Sequence, residues 1–232
     1  HPGAAADTSG PGLGWRDDDV DRVDERPAGW RITRGEEAEQ PRGGGDEAAV
    51  GAASLRGGGH ALPMPHIRPF AEADWPSLWP LLHDTFASGD TYAFDPRSSE
   101  AEILQAWTRT PMATFVACGN DGRIVGTYFI KPNQPGLGSH VCNCGYITAA
   151  EARGQGVASA LCEHSQAQAR AMGFRAMQFN LVVASNEGAV RLWLKLGFAV
   201  VGRLPGAFAH RQLGDVDALV MFKTLTSDPP AG

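Results

Sequence analysis

A chain of 232 residues with 43% hydrophobic content has room for one good-sized globular domain or two small ones. A net charge of −6 excludes the basic face that nucleic-acid binding needs, and no basic amphipathic helix or unbroken apolar run offers a membrane role. Cys118, Cys142, Cys144 and Cys162 are too few and too unevenly spaced for a disulfide scaffold and suit the reduced thiols of a cytoplasmic protein.

Residues 1–63 are rich in Gly, Ala, Asp, Glu and Arg, with runs such as Gly43-Gly44-Gly45 and Gly57-Gly58-Gly59. Such a segment buries too little apolar surface to offset the entropy of ordering it, and is expected to be disordered or non-native. It has no apolar core of a secretory signal, and Asp17 to Asp19, Glu36 and Glu37 argue against a transit peptide. The chain opens on His1, and its first methionine, Met64, directly precedes the first strand-like run. The expectation is translation from Met64 and a working domain over 64–232.

Within that domain His66 to Phe70 reads as a short strand. Asp74 as N-cap, Pro76 in the first turn, and Leu78, Trp79, Leu82 and Phe86 at helical spacing predict a helix closed by Gly89. Ser99-Glu100-Ala101-Glu102 is a capping box, with Ile103, Leu104 and Trp107 as the next apolar face. Thr114 to Cys118 and Arg123 to Ile130 are strand-like, joined by the turn Asn120-Asp121-Gly122. After a loop from Pro132 to Gly138 comes the strand His140 to Thr148, where Gly145 predicts a bulge or a close approach of another group. A helix over 156–172 presents Val157, Ala160, Leu161, His164 and Ala171 on one face. Ala176 to Val183 is the next strand. Asn186 caps a helix that turns Ala189, Val190, Trp193 and Leu194 inward and closes at Gly197. Two last strands, Phe198 to Leu204 and Val216 to Thr224, are joined by the loop Pro205 to Asp215. This order predicts an α/β layer with a mixed sheet.

The run Arg153-Gly154-Gln155-Gly156-Val157-Ala158 carries a strand into a helix. Free N–H groups and the macrodipole converge at such a helix start, Gly154 and Gly156 let the backbone approach a pyrophosphate, and Arg153 adds charge. A glycine-rich turn with no ligand is the plain alternative. A dinucleotide fingerprint fails: its third glycine falls on Ser159, and the second strand ends Val182-Val183-Ala184-Ser185 without an acidic residue for a ribose. A Walker loop lacks its Gly-Lys-Ser/Thr.

Arg153-x-x-Gly156-x-Ala158, followed by Asn186-x-x-Ala189 and Trp193-x-Lys195-Leu196-Gly197-Phe198, resembles the GNAT superfamily of N-acetyltransferases over residues 66–225. The resemblance implies the GNAT fold: a mixed, mostly antiparallel sheet flanked by helices, with strands 140–148 and 176–184 splayed in a V and a bulge near Gly145. It implies acetyl-CoA as co-substrate, its pantetheine on the strand edge near Tyr146, Ile147 and Thr148. It also implies direct transfer to an amine. The usual acid and base are missing. Trp193 stands where many members carry a tyrosine, and His140 to Thr148 holds no carboxylate. Proton transfer through water or through a replacing polar residue both stay open.

A narrower resemblance, over residues 140–146, Phe179 to Val182 and Asn186, is to the yeast acetyltransferases that act on proline analogues such as azetidine-2-carboxylate. It implies that Asn143 and Asn180 face the acceptor and that Asn186 contacts acetyl-CoA. Asn186 is also explained as an N-cap, whereas Asn143 and Asn180 sit in strand-like runs where Asn is disfavoured. Tyr146 either relays a proton or lines the cleft. Cys142 and Cys144 read as buried thiols rather than metal ligands, and no metal is expected. His164 reads as a packed histidine, and His140 and His210 as candidate proton shuttles. Trp75, Trp79 and Trp107 suit core or pocket walls. Tyr92 and Phe94 lie in the segment that sets acceptor choice in the family. The expected function is acetyl transfer to a small-molecule amine, an amino acid or analogue. The alternatives are a protein N-terminal or lysine acetyltransferase, or a non-catalytic acyl-CoA-binding module. The resemblance allows a homodimer without requiring one.

Overall fold

The computed structural model describes residues 65–226; the expected extension and the start at Met64 lie outside them. The elements follow the predicted order: β1 (His66–Pro69), α1 (Trp75–Ser88), α2 (Glu100–Leu104), β2 (Ala113–Cys118), β3 (Ile124–Pro132), β4 (Val141–Thr148), α3 (Val157–Ala171), β5 (Ala176–Val183), α4 (Glu187–Lys195), β6 (Ala199–His210) and β7 (Gly214–Thr224). They build a seven-stranded sheet in the order β1-β2-β3-β4-β5-β7-β6. Neighbours are antiparallel except β4 and β5, which run parallel.

Strand alternation sorts side chains onto two cores. Val116, Phe129 and Ile147 join Leu78, Leu82, Phe86, Ile103 and Trp107 under α1 and α2. Phe115, Tyr128, Cys142 and Cys144 join Val157, Leu161 and Trp193 under α3 and α4. Cys142 and Cys144 are buried free thiols, as expected. Trp107 is fully buried, and its indole N–H donates to Thr127 Oγ1 at 3.2 Å, while the Thr127 hydroxyl donates to the Phe115 carbonyl at 2.8 Å. Thr127→Val would strand that N–H in an apolar core. The expected cost is about 1–3 kcal/mol, read as a lower urea midpoint at unchanged slope.

The capping box forms as predicted: Ser99 accepts from the Glu102 N–H, and Glu102 accepts from the Ser99 N–H at 2.7 Å. α2 continues into a π turn over Gln105–Arg109. Gly89 closes α1 with a φ of 68°.

Four expectations change. The Asp74 side chain does not cap α1: it accepts from Arg68 at 2.7 Å and from the Ala71 N–H at 2.8 Å. Ala171 and Leu194 are exposed, not core. Of the two readings of Gly145 the bulge is absent, because β3 and β4 keep an unbroken register from Gly126↔Thr148 to Pro132↔Cys142, while the close approach is met: a Cβ there would stand 2.6 Å from Phe129 Cε1. The loop expected over Pro205 to Asp215 is mostly strand: β6 runs to His210 and β7 starts at Gly214, with the irregularity absorbed as a register shift between Leu204 and Phe208.

Candidate active site

β4 and β5 pair only at Val141↔Ala176, Cys142↔Met177 and Asn143↔Gln178. Beyond that rung β3 holds β4 while β7 holds β5 through a shift between Phe179 and Val182, so the two parallel strands part. Asn143 closes the fork, its Nδ2–H donating to the Gln178 carbonyl at 2.9 Å. Tyr146, Phe179 and Trp193 wedge the α3/α4 side, with ring centroids 5.1 Å apart for Tyr146–Trp193 and 5.7 Å for Tyr146–Phe179. The result is a cleft of about 1130 Å³.

The open edge of β4 follows from its hydrogen-bond parity. The Ala149 N–H bonds to the Val125 carbonyl and the Val141 carbonyl accepts from Asn133, so odd-numbered residues from 141 to 149 turn their backbone toward β3. Beyond the last rung with β5, the C=O of Cys144 and the N–H and C=O groups of Tyr146 and Thr148 therefore face the cleft. Ile147 also lines the cleft, but its backbone points to β3 and its side chain packs under α1 and α2. Of the two β4 residues expected beside pantetheine after Tyr146, only Thr148 presents hydrogen-bonding groups there.

Next to this edge the chain turns through Gly154 (φ 75°) and Gly156 (φ 82°), each with open space where a Cβ would stand. α3 begins at Val157, so the N–H groups of Val157, Ala158 and Ser159 have no carbonyl within the helix. Val157 keeps its side chain in the core and can offer only its N–H. Arg153 lines the cleft, and Gln155 braces the turn through Nε2–H to the Glu151 carbonyl at 2.7 Å. The free donors, the dipole and Arg153 together suit a pyrophosphate. Asn186 caps α4 by accepting from the Ala189 N–H at 3.2 Å and also lines the cleft.

Asn143 and Asn180 both line the cleft, but their amides are committed differently. Asn180 donates to Asn133 Oδ1 at 2.7 Å and accepts from Gln178 Nε2 at 2.8 Å. Asn143 gives one N–H to Gln178 and keeps Oδ1 without a protein donor among the described residues. Asn133 falls in the stretch expected as loop, and no sequence signal pairs it with Asn180, because the two are 47 residues apart in the chain.

Tyr146 lines the cleft with its ring, while its hydroxyl shares a hydrogen bond with Ser165 at 2.7 Å on α3. Burial pushes its phenol well above the usual range. That placement suits lining rather than relay. The Tyr92 hydroxyl instead enters from the α1/α2 side and donates to the Tyr146 carbonyl at 2.8 Å; burial raises its pKa too and keeps it a donor. Phe94 lines the same wall. Trp107 is core, while Trp75 and Trp79 are half-buried and stack at 5.9 Å. His164 is packed as expected, its Nδ1 2.7 Å from the Tyr128 hydroxyl. His140 is exposed and lies outside the cleft lining, whereas His210 is part of it. Asp84 and Asp90, neither singled out from sequence as part of a site, add carboxylates at the α1 end of the cleft.

A sheet parted between two parallel strands, with a helix start of free N–H groups beside the open edge, is the architecture of enzymes that take acyl-CoA in such a cleft. The chain matches the Acetyltransferase (GNAT) family model over residues 75–198 and belongs to that family. It is similar to N-acetyltransferase aca1 of Schizosaccharomyces pombe, 37% identical over 84 residues, which is 36% of this chain and 40% of that protein's length. It is similar to the structure of a GCN5-related N-acetyltransferase from Kribbella flavida, with a TM-score of 0.66 and 40% identity over 68% of this chain and 96% of that one. A phosphinothricin acetyltransferase from Sinorhizobium meliloti, solved with acetyl-CoA, shares the fold at a TM-score of 0.65 and 20% identity, over 73% of this chain and 92% of that one. The protein is thus an N-acetyltransferase of a family that uses acetyl-CoA as its acetyl donor. Among the described residues no helix is long and apolar enough to cross a membrane.

Proposed function

We propose that the acceptor is a small-molecule amine, an amino acid or analogue, acetylated in the cytoplasm. The observation that carries this reading is a bridge over the acceptor side. Arg211, at the β6–β7 turn, donates its N–H to the Gly89 carbonyl at 3.1 Å and Nη1–H to the Ala87 carbonyl at 2.9 Å. A peptide acceptor needs an open groove, and this strap spans the end of α1 where such a groove would run. The four buried free cysteines suit a reducing compartment.

In this reading Arg153, Gly154, Gln155, Gly156 and the first N–H groups of α3, at Val157 and Ala158, hold the pyrophosphate. The Thr148 edge and Asn186 flank the pantetheine. Bound acetyl-CoA would supply a thioester carbonyl; a neutral amine attacks it, the C–S bond breaks, and the proton lost from the amine goes to the departing thiolate to give the free thiol of CoA. The N–H groups on the open β4 edge are the donors the chain offers to that carbonyl. Asn143 Oδ1, free of protein donors, accepts from the amine and orients it. Asn180 shapes the far wall from its place against Asn133. Asp84 and Asp90 draw a cationic amine toward the cleft.

The test is thiol release from acetyl-CoA with amino acids, proline analogues, polyamines and short peptides. Release with an amino-acid class is expected, and Asn143→Ala should raise the acceptor KM about tenfold or more while sparing the acetyl-CoA KM. Release confined to peptides would transfer the reading to a protein acetyltransferase.

A further inference from the structure

His210 ends β6 and pairs with Gly214 across the turn. Its Nδ1 accepts from the Gln212 N–H at 3.1 Å and the Leu213 N–H at 3.3 Å. A nitrogen receiving two donors carries no hydrogen, so the ring hydrogen is on Nε2. This tautomer removes His210 from the candidate proton shuttles, since its free edge is a donor and not a base. The ring lies edge-on to Phe208, which is buried, and the neighbouring Arg211 straps the turn to α1. The imidazole is therefore held in place before any ligand arrives.

Among the described residues the cleft has no cation on the acceptor side: Arg153 is the one lining Arg or Lys among them, and it stands by the α3 start. Most neutral donors there are engaged: the Tyr92 hydroxyl to Tyr146, Asn143 to Gln178, Asn180 to Asn133 and the Thr85 hydroxyl to Leu81. Asn186 and Trp193 keep N–H groups, but both belong to α4 on the cofactor side. Besides the second Nδ2–H of Asn143 and of Asn180, His210 contributes a side-chain N–H on the acceptor side that no described residue accepts, and its ring alone is fixed in orientation by two backbone donors.

We infer that His210 determines acceptor specificity, its Nε2–H donating to the carboxylate of the amine substrate. The inference rests on the amino-acid reading above and names the group that reading leaves unbound. A hydrogen bond to a carboxylate is charge-assisted, so its loss is expected to weaken acceptor binding about ten- to a hundredfold.

The experiment compares wild type, His210→Phe and His210→Gln with the amino acid that thiol release identifies, its carboxamide and its decarboxylated amine. His210→Phe is expected to raise KM for the amino acid by that factor, with the other two acceptors and acetyl-CoA little changed. His210→Gln, which keeps an N–H, recovers part of the loss. Nitrogen NMR of the His210 ring gives a readout independent of turnover: hydrogen on Nε2 is expected, and its signal should move when the amino acid is added. Hydrogen on Nδ1, an equal loss for all three acceptors, or wild-type preference for the decarboxylated amine would overturn the inference while N-acetyl transfer stands. Absence of thiol release with every amine would overturn the acceptor reading and this inference together.

Discussion

Gly145→Ala is expected to lower kcat/KM about a hundredfold and to cost about 1–3 kcal/mol of stability. A Cβ at Gly145 would stand 2.6 Å from Phe129 Cε1 and 3.2 Å from the Tyr92 hydroxyl oxygen. Phe129 is the strand partner of Gly145 and lies edge-on to Trp107 at 4.9 Å, and Trp107 is fully buried. With Trp107 packed edge-on against the ring, the strain is expected to move β4 or expel Tyr92 from the Tyr146 carbonyl. Either shift displaces the open β4 edge proposed to face the thioester. Urea unfolding and thiol release at saturating acetyl-CoA measure the two effects. Tyr92→Phe separates them, because it removes the hydrogen bond without the clash. Wild-type kinetics and stability in Gly145→Ala would show that Phe129 and Tyr92 have room to yield, and would remove close approach as the reason for this glycine.

Gly156→Val is expected to act on the cofactor alone, raising the acetyl-CoA KM about ten- to a hundredfold. Its φ of 82° is left-handed, where a β-branched residue is strained by about 1–2 kcal/mol. Nothing lies within 4 Å of the new Cβ, so no clash adds to the strain. Relief comes by rotating the turn, and that rotation re-aims the free N–H groups of Val157, Ala158 and Ser159. Acceptor KM should stay unchanged. Gly122 supplies the control: its φ is 78° and its surroundings are equally open, but it sits in the β2–β3 turn. Gly122→Val should cost similar stability and leave the acetyl-CoA KM alone. Matching effects of the two variants on that KM would mean that strain alone, not the position of these N–H groups, is being read.

Local chemistry made much of this molecule legible in the sequence. Apolar spacing in Leu78, Leu82 and Phe86 places α1, Ser99 and Glu102 form their cap, and Asn186 caps α4, because each signal acts within about one turn of helix. The glycine turn at 154–156 belongs to the same class: a left-handed backbone position demands glycine whatever surrounds it. The misreadings also have local causes. Asp74 looked like a cap, but Arg68 on β1 outcompetes the helix N–H groups for its carboxylate. Pro205 and Gly206 looked like loop, but an edge strand tolerates proline, and the register shift takes up the extra residues.

Sequence by itself thus determined the order of elements, the family and the glycine turn that opens α3 with free N–H groups, since all three depend on residues near one another in the chain. Only the tertiary structure decided what the other polar side chains are free to do. Asn143 and Asn180 are the same residue type on neighbouring strands, yet Gln178 and Asn133 leave Oδ1 open on Asn143 and engage both ends of the Asn180 amide. Tyr146 turns its hydroxyl to Ser165, and Tyr92 reaches across more than fifty residues of chain to take the Tyr146 carbonyl. Hydrogen-bonding capacity is a property of the residue, but which part of it remains for a ligand is set by partners that only folding brings within about 3 Å.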